Sequence, residues 1–194
     1  MSLSTKIPER FTSSARSQRR GEKAIGVGER VATSVALGFV GLLVLAFTLG
    51  KAYLSFGPLW QTSAHRHRSL DLVLFNGFDY PSVWWGPWIN LFGNIVLFLP
   101  LGFLIANMLR GRARFPVFET ILLSFLVSLS IEVTQFAFAL GYSDADDLLF
   151  NTIGGAIGAT LAARMGPRWR ALFIGLALLA AMSGLAVMLA TSVF

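Results

Sequence analysis

The chain contains no cysteine, so disulfides, thiolate metal ligands and a cysteine nucleophile are all excluded. Charge is sparse too: 13% of its 194 residues are Asp, Glu, Lys or Arg, against about a quarter in soluble domains. Histidine occurs twice, and both copies alternate with arginine in His65-Arg-His-Arg68. That pattern reads as a basic loop able to touch lipid phosphate rather than as a metal site. No Ser, His or Cys nucleophile arrangement and no internal repeat are found.

Apolar residues take up the space, at 55% of the chain. Five stretches reach or approach the roughly 20 residues that a membrane-spanning helix needs. They lie near Val31–Gly50, Ile89–Leu109, Val117–Leu140, Leu148–Met165 and Ala171–Val193. The expected fold is therefore all-α, a polytopic membrane bundle of about five helices forming one membrane domain over residues 31–194. The fourth stretch is short and glycine-rich, so it needs neighbours around it.

The net charge of +6 could suggest nucleic acid, but its distribution fits membrane topology instead. Seven cations precede the first stretch, and the turns Arg110-Gly-Arg-Ala-Arg114 and Arg164-Met-Gly-Pro-Arg-Trp-Arg170 hold three each. Thirteen of the 16 cations thus fall on one side, leaving Lys51, Arg66 and Arg68 on the other. The positive-inside rule predicts a cytoplasmic N-terminus, an extracytoplasmic C-terminus and an outward-facing loop 141–147. Residues 1–30 are Ser- and Arg-rich, and are expected to form a disordered cytoplasmic arm. The apolar run from Val31 exceeds a 7–15-residue signal core, so it reads as an uncleaved anchor.

The stretch from Lys51 to Trp88 carries Trp60, Trp84, Trp85 and Trp88 together with Phe75, Phe78 and Tyr80. Two readings stay open: an aromatic belt at headgroup level, or a partly re-entrant cap whose rings contact a lipid or sugar.

Polar groups inside the apolar stretches mark the candidate site. Thr120, Ser124, Ser128 and Glu132 recur every four residues and Gln135 follows, which places them on one helical face. Asn90 and Asn94 share a face in the second stretch, where Pro100 removes a backbone donor and can loosen the helix. Asn151 opens the fourth stretch, and Gly154 and Gly158 are spaced for close helix contact. Interhelical hydrogen bonding accounts for the asparagines and serines. It accounts less well for Glu132, because an amide would bond equally well without the cost of a buried charge.

Asp144, Asp146 and Asp147 stand just before the fourth stretch. One reading is capping of that helix, with favourable interaction with its dipole. The other is a Mg²⁺ or Ca²⁺ site, because clustered carboxylates are ligands for hard cations. Crowding should raise at least one of their pKa values.

These residues carry a family resemblance. Asn94-Ile-Val-Leu-Phe-Leu-Pro-Leu-Gly102 resembles the first hallmark of VanZ-like membrane proteins. Glu132-Val-Thr-Gln135 followed by Asp144-Ala-Asp-Asp-Leu-Leu-Phe-Asn-Thr-Ile-Gly-Gly155 resembles the second. The likeness covers about residues 66–165, and Arg66 to Phe75 resembles the segment preceding the first hallmark. One departure stands out. The family usually has an arginine shortly before the aspartates, where this chain reads Leu140-Gly-Tyr-Ser143, and Arg66 or Arg68 could substitute from the long loop.

The resemblance implies a multi-pass protein of the bacterial inner membrane, in a family whose founding member is associated with resistance to the glycopeptide teicoplanin. The expected role is binding or modulation, at an outward-facing polar site, of a lipid-linked cell-wall component, an amphiphile or another membrane protein. The expected ligand-binding residues are Arg66, Asn94, Glu132, Gln135, Asp144, Asp147 and Asn151. The alternative is a membrane enzyme acting on a lipid phosphate or pyrophosphate. It would use Glu132 as acid or base and a cation held by Asp144, Asp146 and Asp147.

Overall fold

The computed structural model describes residues 25–50, 69–79, 81, 83–140 and 142–193. Five helices account for most of them: α1 (Val27–Gly50), α2 (Gly86–Leu109), α3 (Pro116–Phe138), α4 (Ala145–Arg164) and α5 (Pro167–Val193). Two three-residue strands, β1 (Ser69–Asp71) and β2 (Tyr142–Asp144), form a parallel pair. The expected all-α bundle is what the chain forms.

Each helix begins one to four residues before the apolar stretch that announced it. The first-turn amides have no intrahelical acceptor, so a helix can start on polar or proline-bearing sequence before its apolar face begins. Proline occupies an opening position of α2 and α3, and Pro167 begins α5. Helix α1 likewise absorbs residues 27–30 of the stretch expected to be an arm, while residues 1–24 lie outside the described residues. Helix α2 continues through Pro100 to Leu109 without interruption.

Four helices, α1, α2, α3 and α5, are long and apolar enough to cross a membrane. Helix α4 is the exception, with 20 residues that include Asp146, Asp147 and Asn151, all buried. It survives in this setting because it packs between α2 and α3. Glycine permits that approach. A Cβ on Gly158 would run into the Leu99 carbonyl, one on Gly154 into Ile95, and one on Gly102 into Gly155. Backbones that come this close gain dispersion and packing, the main drive for helix association where lipid replaces water.

Helices α1 and α5 form the other side of the bundle. Their seam buries Ala36, Val40, Val44 and Ala181, and Phe103 of α2 stacks on Phe173 of α5 at 4.0 Å between ring centres. Leu122, Leu126 and Leu129 of α3 and Leu172, Leu176 and Leu179 of α5 are exposed, as lipid-facing positions would be.

Side-chain contacts show how the helices alternate in direction. At one end the Glu29 carboxylate accepts a 2.9 Å bond from Arg110, in the α2–α3 turn, and lies 3.8 Å from Arg170 near the start of α5. At the other end the Gln135 amide donates to the Thr48 carbonyl over 2.9 Å, joining the end of α3 to the end of α1. The basic turns therefore share one end of the bundle and the acidic loop lies at the other.

Candidate functional site

The polar face of α3 is buried along its length: Thr120, Ser124, Ser128, Glu132 and Gln135 are each under 9% exposed. Its partners change from turn to turn. Thr120 folds back onto the Pro116 carbonyl, and Ser128 accepts a 2.9 Å bond from Asn151 of α4. Gln135 turns towards α1. Glu132 instead reaches the loop that leads into α4.

That loop is fastened at several points. The amide of Asp144 donates to Glu132 Oε2 over 2.9 Å, and the Ser143 hydroxyl donates to the Glu132 carbonyl over 2.8 Å. Asp144 is the N-cap of α4, accepting from the Asp146 amide at 2.8 Å. The capping reading of the aspartates holds, and it belongs to Asp144 specifically. A capping carboxylate satisfies an orphan amide and interacts favourably with the helix dipole.

Asp146 and Asp147 point to different partners. Both oxygens of Asp146 lie 3.0 Å from the Phe75 amide, in the segment that follows β1. Oδ1 of Asp147 accepts from the side-chain amides of Asn90 and Asn94 at 2.7 and 2.6 Å, tying the first turn of α4 to α2. The three carboxylates thus diverge, each onto its own donor. Among the described residues no group of three acidic or imidazole side chains gathers as a cation would require. This geometry does not favour the Mg²⁺ or Ca²⁺ reading of Asp144, Asp146 and Asp147.

The β1–β2 pair sets Asp71 opposite Asp144. Asp71 accepts from the Asn76 side chain and from the Val73 amide, and these bonds hold its carboxyl below the usual range. Asp144 shifts the other way. Burial raises its pKa to about 6, the Asp146 amide opposes that rise, and the charges of Asp147, Asp146 and Asp71 add to it. The expected pKa rise among the crowded aspartates therefore falls on Asp144.

Above the carboxylates lies an apolar segment. Leu70, Leu72, Val73, Leu74 and Phe75 are exposed, as are Trp84 and Trp88. Phe75 has a φ of 64°, a left-handed conformation uncommon for a bulky residue, and its amide is the one held by Asp146. Its ring lies 6.0 Å from that of Phe150 on α4. Phe78 meets Trp88 edge-on at 5.2 Å, and Trp88 stacks on Phe92 at 6.2 Å.

Of the expected site residues, the fold joins Glu132 to Asp144 and Asn94 to Asp147. Gln135 is directed at α1, and Asn151 is paired with Ser128. Their carbonyl oxygens, Gln135 Oε1 and Asn151 Oδ1, are buried without a hydrogen-bond partner. Arg66, Arg68, Trp60 and both histidines lie outside the described residues. Asn90, Ser143, Asp71 and the Phe75 amide complete the network beyond the expected ligand-binding residues. Only Asn90 had a signal, its position one turn before Asn94.

Comparison with known proteins converges on the same segments. The VanZ/LLP1 family model matches residues 37–166. Protein VanZ of Enterococcus faecium is similar, with 31% identity over 97 residues, covering 50% of this chain and 54% of that protein. The chain therefore spans about half the length of that relative. No solved structure matches. With both hallmark segments built into one network, and with the family model covering most of the bundle, this multi-pass membrane protein belongs to the VanZ/LLP1 family.

Proposed function

We propose that the acidic end of the bundle binds the polar head of an amphiphile of the cell envelope, either a lipid-linked cell-wall component or a glycopeptide antibiotic. One observation carries this reading: the Asp146 carboxylate holds the Phe75 amide. Carboxylates are thereby set directly beneath a segment whose Leu72, Val73, Leu74 and Phe75 side chains are exposed. An amphiphile offers the complementary pair of surfaces. Its amine or hydroxyl groups suit buried carboxylates, and its apolar part suits the aliphatic and indole surface beside them. The founding relative's association with teicoplanin resistance fits such a ligand.

Glu132→Gln tests this reading. Glutamine keeps the acceptor for the Asp144 amide while removing a buried charge, so thermal stability should stay level or rise. Binding of a lipid-linked cell-wall precursor or teicoplanin to vesicles carrying the protein should fall at least tenfold, a loss of about 1.4 kcal/mol. Undiminished binding by the folded variant would return Glu132 to a purely structural role. Mg²⁺-dependent turnover of a lipid pyrophosphate by the wild type would replace the binding reading with an enzymatic one.

A further inference from the structure

The opposite end of the bundle holds a second polar cluster that the acidic site does not use. Oε1 of Glu29 serves several groups at once: Arg110 donates to it at 2.9 Å, Asn107 donates at 3.3 Å, and Arg170 Nε lies 3.8 Å away. Asn107 also donates to Thr33 over 3.0 Å, and Arg170 to the Met165 carbonyl over 2.8 Å. The arginine side chains retain only 13% and 14% of their exposure. The Nε atoms of Arg30, Arg110 and Arg170 are buried with no hydrogen-bond acceptor.

One carboxylate among these guanidinium groups leaves positive charge in excess at a place shielded from water. The rest of this end cannot neutralise it. Arg30, Arg110, Arg112, Arg114, Arg164, Arg168 and Arg170 face two carboxylates, Glu29 and Glu119. Glu119 lies at the start of α3, where it accepts from the Phe115 amide, and makes no ion pair with the cluster among the described residues. In sequence, residues 1–24 carry six cations against Glu9 and Glu22. Among the described residues no further carboxylate balances this charge, which leaves room for an external anion.

The helix ends place the cluster at headgroup depth, where phosphate is the abundant anion. The planar fork of arginine matches phosphate oxygens better than a lysine ammonium does. We infer that Arg110 and Arg170 form a binding site for the phosphate of an anionic phospholipid at the basic end of the bundle.

The full chain in neutral detergent provides the test. Phosphatidylglycerol should raise its melting temperature and stay attached in native mass spectrometry. Phosphatidylcholine and inorganic phosphate at the same concentration should do neither. Arg110→Gln and Arg170→Gln should each weaken retention about fivefold, the equivalent of roughly 1 kcal/mol per cation at a membrane surface. Should either fail to fold, Arg110→Lys keeps the charge and should still weaken retention by losing the fork. Glu29→Gln discriminates best. It removes the competing carboxylate, so retention of phosphatidylglycerol should rise. A fall in retention would instead identify the cluster as an internal ion-pair clasp and overturn the site. Equal retention of phosphatidylcholine would overturn it as well, and stabilisation by inorganic phosphate alone would overturn a lipid as the occupant.

Discussion

The amide of Asp144 donates to the carboxylate of Glu132 over 2.9 Å, across a loop that reverses the chain between α3 and α4. The same Asp144 uses its own carboxylate to cap α4. One residue thus receives support from the helix before it and gives support to the helix after it.

This position makes Asp144 the group through which pH should act. Its folded pKa of about 6 lies above the ordinary 3.8, so between these values the folded state binds more protons than the unfolded one. Its contribution to stability is complete below about pH 4 and is lost as pH rises through 6. Asp144→Asn keeps a good N-cap and removes the titration. The difference in melting temperature, variant minus wild type, should therefore grow between pH 4.5 and pH 7.5. A constant difference would show that Asp144 titrates normally.

Gly158→Ala should separate α2 from α4. The new methyl group would collide with the Leu99 carbonyl and the Phe103 amide, and backbone cannot rotate away as a side chain can. Overpacking of this kind costs about 1–3 kcal/mol. Thermal denaturation in detergent should register a clear loss. Gly175→Ala, which would meet no atom within 4 Å, serves as the control and should show no loss of stability.

Topology can be read with reporter fusions. Fusions after Arg114 and Arg170 should report the cytoplasm, and those at Gly141 and after Phe194 the outside. The bundle supports alternation, because Glu29, Arg110 and Arg170 meet at one end. A cytoplasmic C-terminus would mean that α4 does not cross.

Several of these features are legible in the sequence alone. The four-residue recurrence from Thr120 to Glu132 declared a buried polar face, because helical periodicity is local. Aspartates ahead of an apolar run offer a cap as one of two readings, for the same reason. What stayed hidden is non-local. Asp146 bonds an amide 71 residues away, and Asp147 bonds side chains 57 and 53 residues away. Three aspartates within four residues look like one cation site, and only the fold directs them to separate donors. The β1–β2 pair was equally hidden, since three residues are too few to display alternation. Glu29 is hidden because it sits at the margin of the Ser- and Arg-rich arm, where no local signal marks the start of a helix.

The glycine-lined seam between α2 and α4 also bears on biosynthesis. Helix α4 reaches the membrane after α2 and α3, the two helices that enclose it. Its buried carboxylates and asparagine would be costly if it entered lipid alone. Asn90 and Asn94, meanwhile, have no acceptor from Asp147 until α4 arrives. Insertion of α4 and closure of the acidic network are therefore one event. A nascent chain halted at Asp144 should leave α2 and α3 loosely associated, and protection of α2 from lipid-phase crosslinking should appear only once Arg164 has emerged.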